Sequence, residues 1–289
     1  MLEVIEDTLI DAIKLLPFLF ITYLIMEYIE HKMGEKSKKA IKKSGKFGPI
    51  IGGILGAFPQ CGFSVSATNL YAGRVITLGT LIAVYLSTSD EMLPIFISEA
   101  VSPIIILKIL SIKLIVGIIA GILIDLIIGL IDKKIIKEDK EENEIGHICE
   151  EEHCHCNENG VIKSALKHTL NIFLFIILIT FIINIIVHFV GEETISSWIL
   201  NKPIIGPIIT SLIGLIPNCA ASVIITNMYL EEVISLGSMI AGLLTGAGVG
   251  LAVLFKTNNK LKENIGILAL LYTIGAISGI IIELLGIAI

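Results

Sequence analysis

The chain has 289 residues, is 54% hydrophobic and carries a formal net charge of −6. A mean hydropathy of +0.89 is far more than one soluble core of this length requires, which excludes an ordinary soluble globular domain. Runs such as Leu114–Ile131 and Ile265–Ile289 can each cross a bilayer at about 1.5 Å of rise per residue, so an all-α polytopic membrane protein is expected, with lipid and no nucleic acid as its surroundings.

The opening, MLEVIEDTLIDAIKLLPFLFITYLIMEYIEH, is acidic and lacks a small-residue cleavage site. It reads as a retained first segment over 8–30 and not as a signal peptide. Glu27 and His31 stand near its end. Residues 32–46 then carry seven Lys and one Glu, which assigns this loop to the cytoplasm. Two apolar segments follow, 48–58 and 62–73, each too short to span alone. Between them lies Pro59-Gln60-Cys61. Either a re-entrant hairpin bends there or one spanning helix is broken there. In both cases Pro leaves backbone groups free at mid-membrane, where they survive only beside protein or a wet cavity. Ser64, Thr68 and Asn69 lie four, eight and nine residues beyond Gln60, so a short helix presents them on neighbouring faces beside Cys61.

The segment 75–97 contains YLSTSDEMLPIF, with Asp90 and Glu91 inside an otherwise apolar run. Ionised carboxylates at such depth are costly unless they face a cavity or a cation, so these two are candidates for metal binding, proton exchange or both. The segment 103–131 closes the first half and carries Asp125. Its Lys108 and Lys113 fit the scheme poorly, since they fall near the outer side.

Residues 132–166 are a charged linker, expected in the cytoplasm, and within it HICEEEHCHCNENG gathers His147, Cys149, His153, Cys154, His155 and Cys156. Thiolate and imidazole suit zinc, copper(I), cobalt, nickel or iron(II) better than calcium or magnesium. The spacing is not that of paired CxxC ligands. Transient capture or sensing of a metal is expected there, and not a rigid structural site.

The rest of the chain, 167–289, repeats 1–131. Shifting the sequence by 158 residues aligns 49–79 with 207–237, and 15 of those 31 positions are identical. Pro217-Asn218-Cys219 repeats Pro59-Gln60-Cys61, and Ser222, Thr226 and Asn227 repeat Ser64, Thr68 and Asn69. Shared apolar bias cannot match Pro, Cys and Asn, so the gene is a tandem duplication. Asp125 recurs as Glu283, and His31 recurs within one residue as His188. These four, with Glu27, are candidates for a proton path. The acids at 90 and 91 are not repeated, since LLTGAGVGLA stands in their place. Corresponding loops differ in charge: Lys-rich 32–46 answers to Glu192 and Glu193, and Arg74 answers to Glu232. Two inverted-topology repeats of five helical segments each are therefore expected, with both termini outside.

These residues carry a likeness. LPFLFITYLIMEYIEH, PQCGFS, PNCAAS, YLSTSDEMLP and the His/Cys loop between the halves resemble the ten-helix heavy-metal exporters, a group similar to the arsenical permeases, some members of which are labelled manganese transporters. The resemblance covers nearly the whole chain and implies a permease of the cytoplasmic membrane. It also implies outward transport, which spacing does not. The expected function is secondary-active export of a divalent transition metal, with protons in exchange, at a site where Cys61 faces Cys219. A permease for trivalent arsenicals and a membrane metal sensor using the loop are the alternatives. No cofactor is required, no phosphate-binding loop supports ATP-driven pumping, and no nucleophile–base pair supports an enzyme.

Overall fold

The computed structural model describes residues 47–58, 61–89, 92–135 and 204–287, with scattered helical positions between 13 and 24 and between 162 and 185. Of Cys61, Cys219 and residues 131–135 it describes the backbone alone. Among the described residues every regular element is a helix. The first set is α1 (Gly48–Gly56), α2 (Cys61–Ala72), α3 (Leu78–Ser87), α4 (Met92–Ser98) and α5 (Pro103–Ile135). The second is α6 (Ile205–Gly214), α7 (Cys219–Leu230), α8 (Leu236–Thr245), α9 (Gly250–Thr257) and α10 (Leu261–Leu284). Helices α7 and α8 begin and end 158 residues after α2 and α3. The duplication read from the sequence is thus a duplication of elements.

Local chemistry sets the boundaries. Pro49 stands in the first turn of α1, and Pro103 opens α5, positions where the missing N–H is no loss. Thr77 and Ser235 cap α3 and α8 by accepting from the amides of Thr80 and Ser238. Asn218 does the same for α7. The turns before α3 and α8 also match, since Arg74 and Glu232 both adopt left-handed backbone, at φ 55° and 59°.

Within each half the first helix runs alongside the third in the same direction. A Cβ on Gly48 would meet Thr80, and one on Gly56 would meet Ser87, so glycine is needed at both ends of the contact. Helix α2 returns the other way, because its last residues lead through the 73–77 turn into the start of α3. Thr68, further from that turn, reaches Tyr85. Helices α1 and α2 therefore form a hairpin, the first ending at Gly56 and the second starting at Cys61. Thr210 on Ser238 and Gly214 on Gly242 give the same arrangement for α6, α7 and α8. Of the two shapes left open by the sequence, the hairpin is the one observed.

Helices α3 and α8 lie at the centre: Leu81, Ile82, Tyr85, Leu86, Met239, Ile240 and Leu244 are wholly buried. Each is backed by one long helix at backbone distance. Gly79 meets Gly121 of α5, and Gly237 meets Gly279 of α10; both long helices carry the small-xxx-small spacing, Gly117/Gly121 and Gly275/Gly279. The outer faces of these long helices are apolar and exposed, with Leu107 at 66% and Leu126 at 57% exposed. Apolar residues both inside and outside are what a bilayer-embedded helix requires. Four stretches among the described residues are long and apolar enough to cross a membrane: Pro103–Leu130 and Leu261–Leu284, each within one helix, and Leu78–Ser98 and Leu236–Thr257, each taking in two helices.

One expectation needs correction. The segment 75–97 is not a single helix, since α3 stops at Ser87 and α4 starts at Met92. Ser87 and Thr88 donate their hydroxyls back to the carbonyls of Ala83 and Val84, both at 2.7 Å, at the point where the helix ends. In the second half Gly246 to Val249 make the corresponding break, with Gly248 at φ 54°.

Candidate functional site

The helix interruptions of both halves come together. Ser89, beside Asp90, donates its hydroxyl to the carbonyl of Ala57 at 2.7 Å, two residues before Pro59. The end of α3 is thereby held against the first bend. Thr245 at the end of α8 aims its hydroxyl at the Ser211 carbonyl, 2.9 Å away, close to the second bend. Gly250, at the start of α9, packs on Ser64 so closely that a Cβ there would lie 3.0 Å from the serine Cβ. The second-half break thus rests on the helix that begins at Cys61. Reciprocally, α4 packs on α7, and the rings of Phe96 and Tyr229 are 6.3 Å apart.

Lys113 of α5 ties the two central helices together. It is 1% exposed, and its ammonium donates to the Thr88 carbonyl and, at 2.7 Å, to that of Leu243. These carbonyls are available because their helices stop. Ala247, which would serve Leu243 in a continuing helix, donates instead to Thr245. In sequence Lys113 fits the topology poorly, since it falls near the outer side. A charge ten residues into an apolar span was itself the signal, since intramembrane ionisable residues default to function. Lys108, by contrast, is exposed.

A second polar cluster seals the contact between halves. Thr68 donates to the Ser64 carbonyl at 2.7 Å, and its oxygen lies 2.5 Å from the Tyr85 hydroxyl. The Gly250 carbonyl is 3.2 Å from both hydroxyls. At one end of the molecule Arg74 forks onto Glu263 of α10 at 2.6 and 3.0 Å, and Tyr71 donates to the same carboxylate.

A family model described as "Putative, 10TM heavy-metal exporter" matches residues 1–191 and 170–287. The chain belongs to this heavy-metal exporter family. Neither a curated protein nor a solved structure matches it. An exporter family of multi-pass membrane proteins is a transporter class and not an enzyme class, and it gives the protein a metal ion as substrate and a lipid environment.

In this exporter Ser64 and Asn218 are buried near the bends, Asn69 is buried in the last turn of α2, away from the bend, and Ser222 and Asn227 are half-buried on α7. Cys61 and Cys219 begin α2 and α7, and their side chains lie outside the described residues. So do Gln60, Asp90 and Glu91, although Ser89 and Met92 on either side of the acids are buried. Glu27, His31, His188 and the six loop residues His147, Cys149, His153, Cys154, His155 and Cys156 also fall outside. Among the described residues no three His, Cys, Asp or Glu side chains group as a metal site. Asp125 sits at the start of α3, where it accepts from the Thr77 hydroxyl at 2.7 Å and the Gly79 amide at 2.9 Å. Glu283 occupies the matching place beside Gly237.

Proposed function

We propose that this exporter is a secondary-active permease that moves a divalent transition-metal ion out of the cytoplasm, with protons entering in exchange. The site we assign lies between the Pro59–Cys61 and Pro217–Cys219 bends and the Asp90/Glu91 break. The observation that carries this reading is the meeting of the helix interruptions, through Ser89 on Ala57, Gly250 on Ser64, and Lys113 between Thr88 and Leu243. Interrupted helices free backbone carbonyls and amides, and a bilayer tolerates these only around a protected or wet site. Thiols, amides and two carboxylates around such a site suit a borderline metal. Carboxylates cost about 2.5–3.5 kcal/mol each at mid-membrane unless a cation or proton compensates them, which gives Asp90 and Glu91 a reason to exchange one for the other.

Inverted repeats are part of the proposal. Glu263 pairs with Arg74 in the turn before α3, and Glu283 lies against Gly237 just after the matching turn before α8. Twenty residues of α10 separate the two acids, about 30 Å along the helix. That spacing favours the equivalent turns on opposite faces of the membrane. The orientation we favour has the linker 132–166 in the cytoplasm and both termini outside the cytoplasmic membrane. Rocking of one half on the other would then expose the site alternately. The loop carrying His147 to Cys156 would capture metal on the cytoplasmic side.

Metal-loaded proteoliposomes test the reading. Asp90→Asn with Glu91→Gln is expected to abolish flux while the protein inserts and elutes normally. Undiminished flux would remove the acids from the mechanism. Repeating the assay with manganese, iron(II), cobalt, nickel, zinc and arsenite assigns the substrate; transport of arsenite alone would replace the divalent-metal reading with the arsenical one.

A further inference from the structure

Lys113 has a role beyond holding helices together. We propose that its ammonium is a tethered monovalent cation, filling a cation site built by the ends of α3 and α8, and that its removal opens this site to a free alkali or ammonium ion.

Among the described contacts, two backbone oxygens receive the ammonium. The Thr88 carbonyl closes α3 and the Leu243 carbonyl belongs to the last turn of α8, and both accept from the Lys113 ammonium. Helix C-termini carry partial negative charge, and here two of them converge on one point in the interior. Carbonyl oxygens from unwound helix ends are the donors that coordinate sodium or potassium in transport proteins generally. An ammonium group matches such an ion in charge and approximates potassium in size. Lys113 reaches the point from α5, outside the central pair, so the charge is delivered from the side and the oxygens belong to helices of both halves.

The repeat supplies a control. The residue 158 positions after Lys113 is Leu271, which is wholly buried. The corresponding place in the second half is therefore packed without a charge. One cation serves both halves, at the contact between two helices that are each other's copies. On the transport reading given above, the consequence is an exporter that needs no alkali co-ion, because it carries one covalently.

The test uses the purified full-length chain in detergent, without transported metal, so that it stands or falls apart from the export reading. Melting is followed while potassium, sodium or ammonium chloride replaces choline chloride at constant ionic strength. Lys113→Ala and Lys113→Gln are expected to melt below the wild type and to recover by several degrees, saturably, with one of these cations. Lys113→Met, which fills the same space, and the wild type are expected to show no response. Flat titrations for both Ala and Gln variants would overturn the proposal, as would an equal alkali response in the wild type. Stabilisation of the variants by manganese or zinc, with none from the monovalent ions, would also overturn it and assign the carbonyls to the substrate path. Should a variant misfold, the yield of folded protein solubilised in potassium rather than choline chloride becomes the readout; equal yields overturn the proposal.

Discussion

Asp125 offers a choice between two roles that differ in what substitution does. As a proton carrier it must ionise and protonate during transport. As a cap it must accept hydrogen bonds from the start of α3, which is what the geometry gives: the Thr77 hydroxyl at 2.7 Å and the Gly79 amide at 2.9 Å. Thr77 spends its one proton on Asp125, so the Thr80 hydroxyl, 2.8 Å away, donates to Thr77, and the Thr80 amide does so too. Asp125→Ala orphans the Gly79 amide and loosens Thr77. Loss of the cap, which leaves the buried Gly79 amide orphaned, costs about 1–2 kcal/mol, and a carboxylate at a helix N-terminus contributes roughly 0.5–1 kcal/mol. The total of about 1.5–3 kcal/mol corresponds to roughly 4–10 °C in melting temperature. Asp125→Asn keeps one carbonyl oxygen and should lose about 1 kcal/mol. Thermal unfolding of the solubilised variants reads these shifts, and reconstituted flux against pH reads the function. Expected are graded losses of stability, Ala worse than Asn, with the pH profile of the surviving flux unchanged. Wild-type melting combined with equal loss of flux in both variants would refute the cap and restore Asp125 to a proton path.

Two further outcomes are expected. A double-mutant cycle on Arg74→Ala and Glu263→Ala should give a coupling of roughly 1 kcal/mol, falling with added salt because both side chains are about a quarter exposed; a coupling near zero would reduce the pair to a bystander. Deleting residues 147–156 should leave flux at saturating metal nearly intact and weaken it at low metal. Complete loss of function would favour a sensor over a transporter with an accessory loop.

The repeat was legible because matched Pro, Cys and Asn cannot arise from shared hydrophobicity, and its shift of 158 residues carries the observed α2 and α3 onto α7 and α8. Other features were not legible for identifiable reasons. The break after Ser87 escaped because hydropathy does not register where a helix stops inside an apolar run, and the stop is fixed by contacts distant in sequence, such as Ser89 on Ala57. The cap made by Asp125 escaped because its partner Gly79 is 46 residues away, and only packed glycines bring the two together. The contacts of Lys113 were not legible because its acceptors lie on two other helices, 25 and 130 residues away. Helix α5 starts only at Pro103, which sets the side chain about 15 Å inward, where two other helices end. Hairpin and broken helix differ only in tertiary direction, and glycine contacts at both ends of α1 decided between them.

The turns at Arg74 and Glu232 carry a consequence for how such a protein can arise. Each holds a side chain in left-handed backbone, a conformation that costs about 1–2 kcal/mol for residues other than glycine, and each does so at the same place in its half. One residue is cationic and the other anionic, yet the backbone is the same. A turn indifferent to the sign of its own charge can be relabelled by substitution alone. Two identical copies could therefore come to prefer different sides of a bilayer without either one having to fold anew.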